Sequence, residues 1–212
     1  MNSISILFSG RGSNAHNIID NIIQKKLKFN IKNIICNNKN SPAIETFSKK
    51  NIFVDVLNSS DYRNNENFNN DLLKKLDPQN GDLLLLCGFM KKIPANIIKS
   101  YNGNVINIHP SILPKYKGLG THSKVIKNGD SFHGCTTHFV TEDIDCGPII
   151  AQYIIKVNSD DNEKSIADRL LIFEHKLYYN TLELIQCNIL KYQDKKIYYN
   201  DKILVKPIIY ND

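Results

Sequence analysis

The sequence has no apolar run approaching the roughly 20 residues that a membrane-crossing helix needs, which argues against a helical membrane protein. Its first residues, Met-Asn-Ser-Ile-Ser-Ile-Leu-Phe-Ser-Gly, contain no basic stretch, no long apolar stretch and no small-residue cleavage site. A secretory leader is therefore not expected. The five cysteines (Cys36, Cys87, Cys135, Cys146 and Cys187) are odd in number and include no Cys-x-x-Cys pair. Neither a disulfide framework nor a zinc site is expected, and a reduced compartment, the cytoplasm, is the natural location. There is no block of one charge. The formal net charge is +6, yet the lysines are scattered among asparagines without interleaved aromatics. A nucleic-acid partner is not expected, and the surplus implies only a mild attraction for anionic small molecules.

What is present is an ordinary soluble composition over 212 residues, 42% hydrophobic and 23% charged. That composition excludes whole-chain disorder. A single domain of this length buries ~70% of its unfolded surface without disulfide or metal staples.

Short β-branched or leucine-rich runs alternate with helical patterns through the first half. Residues 4–9 read as a strand, followed by Gly-Arg-Gly-Ser-Asn and a helix with Ile18, Ile19, Ile22 and Ile23 on one face. Further strands are expected at 31–36, 52–57, 82–87 and 105–109, and helices at 42–50, 61–76 and 94–100. Ser41 is the expected N-cap of the second helix, with Pro42 at its first position. The run Asp82-Leu-Leu-Leu-Leu-Cys87 suits a central strand covered on both faces. The alternation predicts a parallel α/β sheet. Beyond Gly134 the pattern changes. Strands at 135–140 and 148–157 flank an acidic loop, a long helix covers 163–190, and short strands or turns fill 197–209.

Three segments could carry chemistry. In Ser9-Gly10-Arg11-Gly12-Ser13-Asn14 the glycines let the backbone approach a ligand closely, and helix-start N–H groups favour phosphate. The alternative is a tight turn with Ser13 or Asn14 as N-cap. A P-loop lysine and an acidic residue after the second strand are both absent. In Asn107-Ile108-His109, strand alternation puts an amide donor beside an imidazole at the carboxyl end of a strand. That pairing suits oxyanion stabilisation with acid–base work, or simply a hydrogen-bonded strand end. In Asp143-Ile144-Asp145-Cys146-Gly147-Pro148, a carboxylate could hold or orient His109, or the loop is a plain acidic turn. Nothing local marks Cys135 or Cys146 as an activated thiol. His122, His133 and His138 match no metal-ligand spacing with His109 and read as polar core or loop residues.

Taken together, the segments at 6–14 (Ile-Leu-Phe-Ser-Gly-Arg-Gly-Ser-Asn), 87–90 (Cys-Gly-Phe-Met), 106–118 (Ile-Asn-Ile-His-Pro-Ser-Ile-Leu-Pro-Lys-Tyr-Lys-Gly) and 138–150 (His-Phe-Val-Thr-Glu-Asp-Ile-Asp-Cys-Gly-Pro-Ile-Ile) carry a resemblance. In this order they are similar to the phosphoribosylglycinamide formyltransferase family, folate-dependent enzymes of purine synthesis. The resemblance implies a Rossmann-like open, mostly parallel sheet with flanking helices. It implies one formyltransferase domain over 1–212, with a phosphate-binding half to about 100, a folate and catalytic half to about 190, and a short tail. The implied activity is direct transfer of the formyl group of 10-formyltetrahydrofolate to the amine of glycinamide ribonucleotide. The catalytic trio would be Asn107, a protonated His109 and Asp145, with Asp145 raising the pKa of His109. Gly12, Ser13 and Asn14 would hold the nucleotide phosphate, with Gly12 needed for close backbone approach, and Glu174 would hold its ribose. Folate would contact Arg63, Met90, Lys91, Lys92, Ile93, Val140 and Thr141 together with Asn107 and Asp145. The implied partners are small molecules only, with no metal, nucleic acid or membrane, and the oligomeric state stays open. Gly120, Leu171, Lys91, Lys92 and Cys146 depart from the family pattern. Transfer to another amine, such as an amino-sugar nucleotide, and a weakened folate- or nucleotide-binding paralogue remain the alternatives.

Overall fold

A computed structural model describes residues 3–211. The chain forms two compact units that divide between Asn107 and Ile108.

The first unit is a parallel sheet. Its strands are β1 (Ser3–Phe8), β2 (Asn30–Cys36), β3 (Asp55–Val56), β4 (Leu83–Leu86) and β5 (Val105–His109), whose last two residues pass into the second unit. They lie in the order β3-β2-β1-β4-β5. Registers such as Ile6↔Ile34, Ile6↔Leu85 and Leu85↔Ile106 place the apolar runs side by side. Leu83, Leu84, Leu85 and Leu86 are all buried, as a strand covered on both faces requires. Each contributes roughly 1.5–3 kcal/mol by leaving water.

The helices of this unit are α1 (Ser13–Ile23), α2 (Pro42–Lys49), α3 (Asn65–Leu76) and α4 (Ala95–Ser100). Ser41 caps α2 as expected, its hydroxyl accepting from the Ala43 N–H. Other expectations need correction. Ile18 and Ile19 of α1 are buried, but Ile23 is 61% exposed; the chain turns just beyond it and buries Leu27 instead. The third strand is only two residues long because it is an edge strand, paired with β2 only at Asp55 and Val56. The helix expected from 61 starts at 65. Residues 59–61 form a 3-10 turn in which the Asn58 side chain donates to Ser60 and Asp61. Asn64 then caps α3 by accepting from the Asn67 N–H. Short Asn and Asp side chains compete with the helix for backbone partners, which delays the start.

The second unit holds α5 (Thr121–Asn128), β6 (Phe132–Phe139), β7 (Ile149–Lys156), α6 (Glu163–Gln186), β8 (Leu190–Gln193), β9 (Lys196–Tyr199), β10 (Lys202–Ile203) and β11 (Ile208–Asn211). β6 and β7 are antiparallel, and β11 returns from the tail to pair in parallel with β7. β8, β9 and β10 form a separate three-stranded sheet. The helix expected to 190 ends at 186. Leu190 is instead buried in β8, where it pairs with Tyr199. α5 had no sequence expectation; it lies between Gly120 and Gly129, both left-handed.

Gly12 caps α1 at φ +62, and the helix start carries no side-chain cap. Ser13 and Asn14 lie within the helix, so neither is the cap. A Cβ on Gly12 would lie 3.0 Å from the Ala43 Cβ and 3.4 Å from the Phe8 ring. The left-handed backbone and the close Ala43 side chain therefore favour glycine here before any ligand is considered. Gly10, by contrast, has nothing within 4 Å of an added Cβ. Gly12→Ala is expected to lower the thermal midpoint by roughly 2–8 °C, and Gly10→Ala by less than about 1 °C. Equal midpoints for the two variants would contradict this assignment.

Candidate active site

Asn107 and His109 stand two residues apart on β5, so both side chains leave the same face of the strand. His109 is buried, with Nε2 2.9 Å from the Tyr116 carbonyl oxygen and Nδ1 3.4 Å from Oδ2 of Asp145. A carbonyl can only accept, so Nε2 carries a proton. Asp145 Oδ2 also accepts from the Gly118 N–H at 2.8 Å, and its Oδ1 lies 3.6 Å from Nε2 of His138. Nδ1 of His138 in turn faces the Phe139 carbonyl at 3.0 Å. The Asp145 carboxylate is thus flanked by two imidazoles, each anchored to a backbone carbonyl through its far nitrogen.

Buried polar groups set this geometry. The Ser111 hydroxyl donates to the Lys115 carbonyl at 2.6 Å. Thr136 Oγ1 donates to the Ser111 carbonyl at 2.6 Å and accepts from the Leu113 N–H at 3.1 Å. Gln152 Nε2 donates to the Leu113 carbonyl at 2.7 Å and to Thr136 Oγ1 at 3.1 Å. This network fixes the segment that presents the Tyr116 carbonyl to His109. Satisfied buried networks of this kind rigidify what they hold. On the other side, a Cβ on Gly147 would meet the Phe139 carbonyl oxygen at 1.8 Å, so only glycine lets the acidic loop close against β6. Asp145 itself sits at φ +50, a conformation that Asp tolerates better than most residues.

The electrostatics depart from expectation in one respect. Burial pushes the His109 pKa down and outweighs both the Tyr116 carbonyl and Asp145, which act to raise it, so the net direction is down. The resting imidazole is therefore biased toward its neutral form. For Asp145, burial acts upward, but the His138 imidazole, the Gly118 N–H and the His109 charge together hold the carboxyl below its usual range.

A second histidine pair lies nearby. His122 Nδ1 and His133 Nε2 are 2.9 Å apart. Burial, then the neighbouring His122, pushes the His133 pKa down to about 4. Among the described residues, no group of three or more His, Cys, Asp or Glu could hold a metal ion. Cys146 is exposed and receives the Lys117 ammonium at 2.9 Å, while Cys135 is buried and its thiol is raised by burial and then by Glu174.

The remaining expected site residues distribute as follows. Gly12, Ser13, Asn14, Arg63, Met90, Lys91, Lys92 and Ile93 belong to the first unit, and Val140, Thr141 and Glu174 to the second. Arg63 is exposed in the turn before α3. Met90 is 66% exposed, whereas Ile93 is buried in the core, which leaves only its backbone to meet a ligand. Lys91 donates to Asn65 Oδ1 at 3.0 Å. The functional residue that sequence reasoning set aside, as polar core or loop, is His138; no pattern marks it, because every residue of β6 from His133 to Phe139 is buried.

A buried imidazole–carboxylate pair at the carboxyl end of a parallel strand, with an amide on the same face, is the apparatus of acid–base group transfer on a small molecule. Residues 2–182 match the formyl transferase family, and the chain belongs to it. It is 35% identical over 176 residues to phosphoribosylglycinamide formyltransferase of Escherichia coli (strain K12), a match covering 83% of each chain. It is 32% identical over 182 residues to the trifunctional purine biosynthetic protein adenosine-3 of Bos taurus, covering 86% of this chain but 18% of that relative. The solved structure of phosphoribosylglycinamide formyltransferase from Coxiella burnetii in complex with CHES superposes with a TM-score of 0.89 at 31% identity, over 99% of both chains. No helix among the described residues is long and apolar enough to cross a membrane.

Between pH 6.5 and about 4 the unfolded chain binds a proton that folded His133 resists. Stability is therefore expected to fall as pH drops through this window. In urea denaturation series across it, His133→Asn flattens the dependence of unfolding free energy on pH. An unchanged slope contradicts the assignment.

Proposed function

We propose that this protein transfers the formyl group of 10-formyltetrahydrofolate to the amine of N1-(5-phospho-D-ribosyl)glycinamide, a step of purine biosynthesis carried out in the cytoplasm. The observation that carries this reading is the buried His109–Asp145 pair on the Asn107 strand, in a chain of this family.

The substrate amine attacks the formyl carbon directly, so no covalent enzyme intermediate forms. The carbonyl oxygen becomes an oxyanion, to which the Asn107 amide donates, a kind of contact often worth roughly 3 kcal/mol. His109 exchanges its bond to the Tyr116 carbonyl for the reacting groups as they arrive. The attacking nitrogen loses a proton, and the departing folate nitrogen gains one. His109 in its protonated form, held by Asp145 at Nδ1, gives its Nε2 proton to the departing nitrogen and takes one back at Nε2 from the attacking nitrogen. Holding amine and formyl carbon in contact supplies much of the rate. Ser13, Asn14 and the uncapped start of α1 receive the nucleotide phosphate, and Glu174 accepts from ribose hydroxyls. Arg63, Lys91 and Lys92 answer the folate carboxylates, while Met90, the Ile93 backbone, Val140 and Thr141 line its rings.

His109→Ala and Asp145→Ala are each expected to lower turnover by on the order of a hundredfold or more, with unfolding still cooperative. The assay mixes 10-formyltetrahydrofolate with glycinamide ribonucleotide and follows deformylated folate by absorbance. Release that requires the nucleotide supports the proposal. Release without it indicates hydrolysis, and near-normal rates in either variant remove the assigned roles.

A further inference from the structure

The three-stranded sheet of the second unit has two unlike edges. On one side β8 packs against the body of the unit, with Tyr192 stacked on Phe139 at a centroid distance of 4.0 Å. On the other side β10 is open and borders a groove of about 480 Å³. β10 pairs only with β9, through Lys202↔Tyr199 and Ile203↔Tyr198, and the Leu204 N–H donates to the Ile197 carbonyl at 2.8 Å. Backbone groups alternate between the two sides of an antiparallel strand. The N–H and C=O of Ile203 therefore face away from β9, and Val205 continues the same phase. Both side chains are apolar and open to water, Ile203 at 50% and Val205 at 87% exposure. Lys202 and Lys206 line the groove, and no lining residue is acidic. Neither lysine is in an ion pair among the described residues, whereas the nearby Asp201 is held by Lys191 at 2.7 Å.

We propose that the free edge of β10 docks an extended acidic segment of another protein, which adds to the sheet as a fourth strand. In strand addition the main-chain hydrogen bonds supply affinity and alternate side chains supply selectivity. An exposed edge with apolar side chains is a template for pairing with another chain. The charges decide which chain. Lys202 and Lys206 flank the apolar pair, so a second copy of this edge would set like charge against like charge. A strand with Asp or Glu where it meets the two lysines, and β-branched residues against Ile203 and Val205, complements both features. Pro207 has no N–H to offer and ends the edge. The groove is built from residues 199–206, beyond the 2–182 that match the family, and includes none of the residues assigned to formyl transfer. Docking is therefore measured apart from catalysis.

The test is fluorescence anisotropy of a labelled synthetic peptide, Glu-Val-Asp-Ile-Glu-Val-Asp, titrated with the purified protein. The comparators are the same peptide with lysine at each acidic position, and a version N-methylated throughout, which cannot donate to the edge. The acidic peptide is expected to bind at least about tenfold more tightly than either, and less tightly as salt is raised. Lys202→Glu combined with Lys206→Glu, both exposed positions, is expected to weaken the acidic peptide by about tenfold or more and to turn the preference toward the lysine peptide. Val205→Asp also weakens the acidic peptide, and formyl transfer stays near that of the parent in both variants. The proposal is overturned if the acidic peptide does not bind at roughly millimolar protein, if either comparator binds as tightly, or if both variants bind it unchanged. A dimer of the protein that Val205→Asp dissociates overturns it in favour of a second copy. Binding to phosphatidylglycerol vesicles that displaces the peptide and is lost in the double variant overturns it in favour of a lipid surface.

Discussion

The position of one carboxylate governs the rest of the site. Asp145 has to stay ionised while half-buried: the Gly118 N–H donates to it, and the His109 and His138 imidazoles stand at 3.4 Å and 3.6 Å, where each stabilises the carboxylate when protonated. Each imidazole is held from behind by a backbone carbonyl, Tyr116 for His109 and Phe139 for His138. The surrounding structure serves those two carbonyls. The Ser111–Thr136–Gln152 network fixes the first, and the close approach permitted by Gly147 brings the acidic loop to the second.

The competition between burial and charge then sets the resting state. The Tyr116 carbonyl and then the Asp145 carboxylate at 3.4 Å favour the imidazolium. Burial opposes it and wins for His109, whose pKa lies below 6.5. The neutral imidazole nevertheless faces a preorganised anion. A proton arriving during formyl transfer meets a site already arranged for it, which keeps the reorganisation cost low. The same desolvation acts on His133, so acid sensitivity and proton handling in this unit share one physical origin.

Much of this was legible in the sequence. The leucine run at 83–86, the Ser41–Pro42 helix start and the Asn107–His109 alternation each follow from local rules, and the structure bears them out. The failures have identifiable causes. Periodicity could not see that residues 52–54 lack a strand partner, because edge pairing is a tertiary fact. α5 is eight residues long between two left-handed glycines, too short for a periodic signal to register. The return of the tail as β11 beside β7 depends on contacts remote in sequence. Gly12 was read for its ligand, whereas its immediate constraint is the Ala43 side chain behind it. His138 stayed hidden among buried strand residues, and the direction of the His109 shift requires knowing how deeply the ring is buried, which no motif states.

The most direct test of this account is a nitrogen-15 NMR titration of the His109 ring in the parent protein and in Asp145→Asn. The account predicts a neutral ring protonated on Nε2, titrating below 6.5, with a pKa that falls further when the carboxylate is removed. A ring protonated on Nδ1 when neutral, a pKa above 6.5, or no change in Asp145→Asn would contradict it.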